Sequence, residues 1–188
     1  MKIGILGGSF DPPHIGHYLA VKQILEIRKD IEKILLVPAF QHQWKPIQAS
    51  VEDRLSMLSS LVDEKIEISD IELQRKGVSY TVDTVRQIKN KTKADIFWIV
   101  GSDILSEFHR WEKTEELLSL TAFLVFPRDP FHLPKALPKG FEVVREKNLI
   151  TTNISSTLIR KRVKEERSIH YLVPEKVELY IKKCKLYT

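Results

Sequence analysis

Cysteine is nearly absent: the 188 residues contain one, Cys184. A lone thiol excludes an intramolecular disulfide framework and a zinc site built on several cysteines, and it fits a reducing compartment. No apolar run approaches the roughly 20 residues that a membrane-spanning helix needs. The start of the chain lacks the apolar core of a signal peptide, because Met1-Lys2 leads directly into a short strand-like run. The expectation is a soluble, cytoplasmic protein with no membrane partner. The seven glycines do not form G-x-G-x-x-G, and no Gly-Lys-Ser/Thr run occurs, so the dinucleotide fingerprint and the P-loop are both poor matches. No nucleic-acid reading motif or interleaved aromatic pattern accompanies the net charge of +5, so nucleic acid is not an expected partner. A basic balance also suits small anionic partners such as nucleotides. The cluster Lys182-Lys183-Cys184-Lys185 reads as a solvated helix face.

What is present is an alternation of short apolar runs and amphipathic stretches. Strands are expected at 2–6, 33–37, 66–69, 95–100, 122–126 and 141–144, and helices at 16–28, 51–61, 82–90, 113–118, 156–163 and 175–183. Ser50 with Asp53 three residues later resembles a capping box, and Pro174 suits a first helical turn. Val177, Tyr180, Ile181 and Cys184 recur at helical spacing and read as core contacts. Such an alternation predicts an α/β fold, a Rossmann-like doubly wound parallel sheet. At this length one domain is expected, residues 1–188, with a C-terminal helical portion from about 154 to 188. Ligands in such sheets bind beyond the carboxyl ends of the strands, where the strand order reverses.

The first of those ends carries Gly7-Gly8-Ser9-Phe10-Asp11-Pro12-Pro13-His14-Ile15-Gly16-His17. A glycine-rich turn from strand to helix presents free backbone N–H groups at the positive end of a helix, which suits phosphate. His14 and His17, three residues apart, fall on one face of the helix start. Two imidazoles beside a phosphate nest point to chemistry at phosphorus. Far along the chain, Ile154-Ser155-Ser156-Thr157-Leu158-Ile159-Arg160 opens another expected helix. One of its hydroxyls can cap that helix, the others can grip phosphate, and the Arg160 fork falls one turn in, where it can bind phosphate oxygens at two points.

GGSFDPPHIGH resembles the signature of the nucleotidyltransferases that share a HIGH-type motif with class I aminoacyl-tRNA synthetases. The segment from Ile154 to Arg160 resembles the ISSTxIR-type motif of the same superfamily. Glu72-Leu73-Gln74-Arg75-Lys76-Gly77-Val78-Ser79-Tyr80-Thr81-Val82-Asp83-Thr84 is similar to a segment of bacterial nicotinate-nucleotide adenylyltransferases. Gly101-Ser102-Asp103 with Trp111, and Arg54 with Met57, match that family's pattern as well. The resemblance runs from Lys2 to about Arg162.

It implies transfer of AMP from ATP to nicotinate mononucleotide, giving deamido-NAD and pyrophosphate, with Mg²⁺ held mainly through the ATP phosphates. His14, His17 and Arg160 would supply hydrogen-bond donors and positive charge around the phosphates. Gly7, Gly8, Ser9, Phe10, Gly101, Asp103, Ile154, Ser155, Ser156 and Thr157 would line the ATP side. Lys45, Tyr80, Thr81 and Trp111 would line the acceptor side, with Trp111 stacked on the pyridine ring. Locally, Asp103 reads equally as a helix cap, and the alternative for Trp111 is a half-buried surface aromatic. A homo-oligomer is an open expectation.

Two stretches depart from the family pattern. Phe40-Gln41-His42-Gln43-Trp44-Lys45-Pro46 keeps Lys45 but has Trp44 where histidine is usual. Arg128-Asp129-Pro130 replaces an Arg-Pro-Gly run. The residues leave three alternatives open. One is a related adenylyltransferase acting on nicotinamide mononucleotide or another phosphorylated acceptor. Another is a catalytically silent pyridine-nucleotide sensor, and the third is a basic nucleic-acid-binding protein.

Overall fold

The computed structural model describes all residues, Met1–Thr188. Six strands form one sheet: β1 (Lys2–Gly8), β2 (Lys33–Pro38), β3 (Ile66–Ile68), β4 (Asp95–Gly101), β5 (Ala122–Phe126) and β6 (Phe141–Val143). Their spatial order is β3-β2-β1-β4-β5-β6, and every pairing is parallel. The chain winds outward from β1 in one direction, then from β4 in the other. The order therefore reverses between β1 and β4, and a crevice opens beyond their carboxyl ends.

The strands are apolar almost without interruption because helices cover both faces. On one face Ile3, Ile5, Val37, Trp98 and Phe123 pack beneath α4 (Thr81–Thr92) and α5 (Thr114–Leu120). On the other, Ile34, Leu36, Ile99 and Leu124 meet Val21 and Ile24 of α1 (Ile15–Ile27) and Leu58 of α2 (Val51–Leu58). Gly7 sits where β1 crosses the Trp98 indole. A Cβ there would stand 2.5 Å from the ring, so only glycine lets the strand end approach so closely.

A third apolar cluster holds the C-terminal part. Ile159 of α6 (Ser156–Lys164), Ile169, Val173, and Val177 and Ile181 of α7 (Glu175–Cys184) close over Met57 and Ala49. The Ile15 N–H donates to Leu172 O at 3.0 Å, which ties the start of α1 to this part.

Strand and helix positions agree with the expectations to within a residue or two, with four local differences. The helix expected over 51–61 is α-helical only to Leu58 and tightens into a 3₁₀ turn over Ser59–Leu61. A five-residue helix α3 (Ile71–Arg75) and two 3₁₀ turns (Ser102–Ser106 and Phe108–Arg110) were not anticipated, because one turn is too short to display periodicity. Pro174 is the N-cap of α7 and not its first turn. Cys184 is exposed, so the core stripe of α7 is Val177 and Ile181 without it. The Ser50–Asp53 capping box is formed, with Asp53 N donating to Ser50 Oγ at 3.0 Å and Ser50 N to Asp53 Oδ2 at 3.3 Å. No helix is long and apolar enough to cross a membrane.

Candidate active site

The crevice at the strand-order reversal is a cavity of about 370 Å³, continued by a smaller recess of about 120 Å³. Its floor is the end of β1 and the loop after it. Gly7, Gly8, Ser9 and Phe10 line the cavity from below, and the Phe10 ring itself is 1% exposed and buried in the core. Phe10 can therefore present backbone to a ligand but not its ring.

His14 is the N-cap of α1 and His17 stands one turn in, with ring centroids 3.8 Å apart. The His14 N–H donates to His17 Nδ1 at 3.2 Å. An accepting Nδ1 leaves the proton of the neutral ring on Nε2, so His17 is an Nε2–H donor. The Nδ1 atom of His14 is buried with no partner in the protein; only Arg54 Nε shares that state. A buried polar atom without a partner is costly.

Burial, with the Arg128 guanidinium nearby, pushes His17 down to about 3. Burial, His17 and Arg128 together hold His14 well below the usual imidazole range. Both rings are therefore neutral near pH 7 in the free protein, and any positive charge on them belongs to the phosphate-bound state. Folding then opposes their protonation. Unfolded imidazoles take up protons as the pH falls through about 6.5 and the folded ones do not, so the unfolded state binds more protons below that point. The stability present above about pH 6.5 is lost progressively as the pH falls toward the folded values. Denaturant midpoints are expected to fall between pH 7 and pH 5, while imidazole NMR resonances of His14 and His17 stay those of neutral rings. Resonances of the pair that titrate near 6.5 would show that the rings are not shielded in this way.

The far motif closes the cavity from the opposite side and is stapled to the first loop. Ser155 caps α6, accepting from Leu158 N at 3.1 Å. Ser156 Oγ donates to Pro12 O at 2.8 Å. Arg160 Nη1 donates to Asp11 O at 2.7 Å, and its Nη2 donates to Thr157 Oγ1 at 3.3 Å. Two segments separated by more than a hundred residues thus form one wall. Ile154 and Thr157 line it too.

Gly101 and Asp103 line the cavity at the end of β4. Asp103 lies inside the 3₁₀ turn whose N-cap is Gly101, and its side chain makes no capping bond. It is instead paired with Arg128 (Nη1 to Oδ2, 3.2 Å). Arg128 also donates through Nη2 to Ile154 O at 2.8 Å. Just beyond the end of β5, it links the β4 turn to the far motif and brings its charge near the histidine pair. Sequence reasoning named Arg128 only as part of a departure from a pattern. Its signal was an arginine immediately beyond the carboxyl end of a parallel strand.

Lys45 and Thr81 line both spaces, as does Trp111, whereas Tyr80 borders only the smaller recess. Trp111 is half-buried against Phe108 and Phe123 (centroids 5.6 and 6.2 Å). Tyr80 is the N-cap of α4, and the N–H groups of Thr81 and Val82 have no acceptor within the protein. Ser79 pins this turn to the preceding loop: its N–H donates to Gln41 O at 2.9 Å, and its Oγ accepts from Phe40 N at 3.0 Å. The divergent Trp44 packs against the Arg110 guanidinium, 4.9 Å from the ring centre, at the rim of the recess.

A parallel sheet with an imidazole pair, two arginines and a helix N-terminus around the crevice at its order reversal defines the nucleotidyltransferase class. A family model described as cytidylyltransferase-like matches residues 5–162. The chain is 40% identical over 194 residues to a probable nicotinate-nucleotide adenylyltransferase of Opitutus terrae, covering all of this chain and 98% of that one. It is 37% identical to the equivalent protein of Halalkalibacterium halodurans, with 99% and 91% covered. The fold matches the Plasmodium falciparum nicotinic acid mononucleotide adenylyltransferase solved with NaAD (TM-score 0.85, 24% identity, 99% and 97% covered). The chain belongs to the cytidylyltransferase-like family and, within it, to the nicotinate-nucleotide adenylyltransferases.

Proposed function

We propose that the chain transfers AMP from ATP to nicotinate mononucleotide, releasing pyrophosphate and forming deamido-NAD, and that the crevice described above is where it does so. The observation that carries this reading is the stapling of the Asp11–His17 loop to the Ser155–Arg160 turn through the Ser156–Pro12 and Arg160–Asp11 bonds. Donors from both segments then face one space large enough for two nucleotides' reacting ends.

An oxygen of the acceptor's 5′-phosphate attacks the α-phosphorus of ATP, and the bond to the bridging oxygen of pyrophosphate breaks. The attacking oxygen is already ionised at neutral pH, so no strong general base is required. The task is to bring two polyphosphate anions together and hold them in line. Arg128 and Arg160 supply the positive charge. His14 and His17 supply neutral donors that cost no reorganisation as charge builds on the leaving oxygens.

No group of three His, Cys, Asp or Glu side chains is placed to hold a metal ion. Asp11 is taken up by backbone and tyrosine donors and Asp103 by Arg128. These residues fit a Mg²⁺ that enters on the triphosphate, where it neutralises phosphate charge, and not a cage built by the protein. The reading places the enzyme in the cytoplasm, where ATP and the mononucleotide are available.

The acceptor's carboxylate is assigned to the start of α4. The free Thr81 and Val82 N–H groups and the positive end of the helix dipole favour an anion there. The amide form would place an NH₂ against a donor and forfeit the charge. Such a mismatch costs about 1–3 kcal/mol, hence a preference of roughly tenfold or more for the acid. Pyrophosphate release with ATP, Mg²⁺ and a panel of acceptors tests both points. The kcat/KM for nicotinate mononucleotide is expected to exceed that for the amide. Equal values would reject the carboxylate assignment and leave adenylyl transfer standing, whereas no release with any acceptor would reject the activity.

A further inference from the structure

Asp11 lies in the phosphate loop with its side chain 2% exposed, and its carboxylate is surrounded by donors. Oδ2 accepts from Gln48 N at 2.8 Å and Oδ1 from Ala49 N at 3.0 Å, which fixes the loop before α2 against the loop after β1. The remaining partner comes from the far end of the chain: the Tyr187 hydroxyl donates to Oδ1 at 2.8 Å. Arg160 Nη1 bonds the Asp11 carbonyl, while Asp11 Oδ2 stands 3.9 Å from the same nitrogen, too far for a hydrogen bond.

The chain goes to some lengths to deliver this hydroxyl. Lys185 ends α7 in the left-handed region (φ 50°), and Leu186 N returns to Ile181 O at 3.1 Å. This is the turn that commonly terminates a helix, here without the usual glycine. Tyr187 is itself left-handed (φ 66°), a conformation that bulky residues adopt only when their surroundings hold them there. Leu186 and Tyr187 pack on the third apolar cluster, which fixes the ring. The hydroxyl is driven toward its neutral form by burial and by the Asp11 charge, so it remains a donor.

We infer that Tyr187 is a positioning residue for Arg160: by donating to Asp11 it keeps that carboxylate from drawing the guanidinium, now 3.9 Å from Oδ2, into a hydrogen-bonded ion pair. This rests on Arg160 being an ATP-phosphate ligand as proposed above. A buried carboxylate deprived of one donor seeks another, and the nearest mobile cation is Arg160. A shift of the guanidinium onto Oδ2 would turn it away from the cavity. The effect passes from the C-terminal helical part to the phosphate site through two contacts.

Tyr187→Phe removes the hydroxyl and keeps the ring. The kcat/KM for ATP is expected to fall about tenfold, the loss typical of a hydrogen bond to a charged group, with the acceptor KM unchanged. In an Arg160→Lys background the same change should have little further effect, because the group it positions is gone. Tyr180→Phe is the control. Tyr180 donates to Asp53 Oδ1 at 3.0 Å from α7, the helix that leads into Tyr187, and does not touch Asp11, so it should stay near wild type. Three results would each overturn the inference: wild-type ATP kinetics in Tyr187→Phe, an equal fractional loss in the Arg160→Lys background, or an equal loss in Tyr180→Phe. The last would mean that the hydroxyls merely dock α7. Calorimetric ATP affinity, measured alongside, separates this outcome from failure of the functional reading. If the wild type binds ATP but transfers nothing to nicotinate mononucleotide, a tenfold weaker ATP affinity confined to Tyr187→Phe still upholds the positioning role, and unchanged affinity rejects it.

Discussion

His17→Ala is expected to fold and to lose roughly a hundred- to a thousandfold in kcat, the usual cost of deleting one preorganised donor at developing charge. The reasoning begins with the tautomer. His17 Nδ1 is occupied by the His14 N–H, so Nε2 carries the proton and is the ring's free donor. Burial and Arg128 keep the ring uncharged, so it does not hold ATP by simple ion pairing in the ground state. Its value lies in a fixed dipole that meets charge as the α-phosphorus bond breaks. The loss should therefore fall on kcat more than on the KM for ATP. A smaller stability cost accompanies it, because the N-cap N–H of α1 loses its acceptor; about 1 kcal/mol is typical for a cap. Steady-state kinetics with a thermal melt of the same sample separate the two effects. A folded His17→Ala enzyme with near wild-type kcat would falsify the assignment.

The sheet was legible because each strand is a short apolar run set off by helical spacing, and the crevice because strand-order reversal places ligands beyond carboxyl ends. That logic places the Gly7–His17 loop and the turn at Gly101 at the crevice, whereas the 154–160 segment joins them only through its resemblance to the superfamily's second motif. It stopped at properties that exist only when distant groups meet. The neutrality of His14 and His17 depends on burial and on Arg128, more than a hundred residues away, and no local pattern carries either fact. Asp11 looked like one more polar residue of a loop. Its partner Tyr187 lies 176 residues further on, outside the span of the resembling motifs. The stretch from Ser102 to Arg110 failed for another reason: tight 3₁₀ turns lack the 3.6-residue rhythm from which helices are read. Trp44 gave no hint of Arg110, because cation–aromatic contacts leave no spacing rule in a sequence.

Arg160→Lys is expected to reduce kcat/KM for ATP by roughly two orders of magnitude and to leave the acceptor KM within about twofold, since a charged, two-point phosphate contact would be reduced to one. The guanidinium here does several things at once. Nη1 is held by the Asp11 carbonyl and Nη2 by Thr157 Oγ1, which fixes the plane of the fork and leaves its remaining N–H groups for phosphate oxygens. A lysine ammonium keeps the charge, but its donors radiate from one atom on a flexible stem. If it bonds the Asp11 carbonyl, it no longer aims a planar pair at phosphate; if it reaches for phosphate, the staple between the two motifs loses a strand. The buried Asp11 carboxylate adds a third pull, because a compact cation near it gains by moving closer. Each of these displaces charge from the α- to γ-phosphates and none touches the start of α4, so the damage should be specific to ATP. Kinetics with each substrate varied in turn decide the matter. Equal losses for ATP and acceptor would make Arg160 a support of the fold, held there by Ile159 and the third apolar cluster, and would return the task of meeting the triphosphate to Arg128 alone.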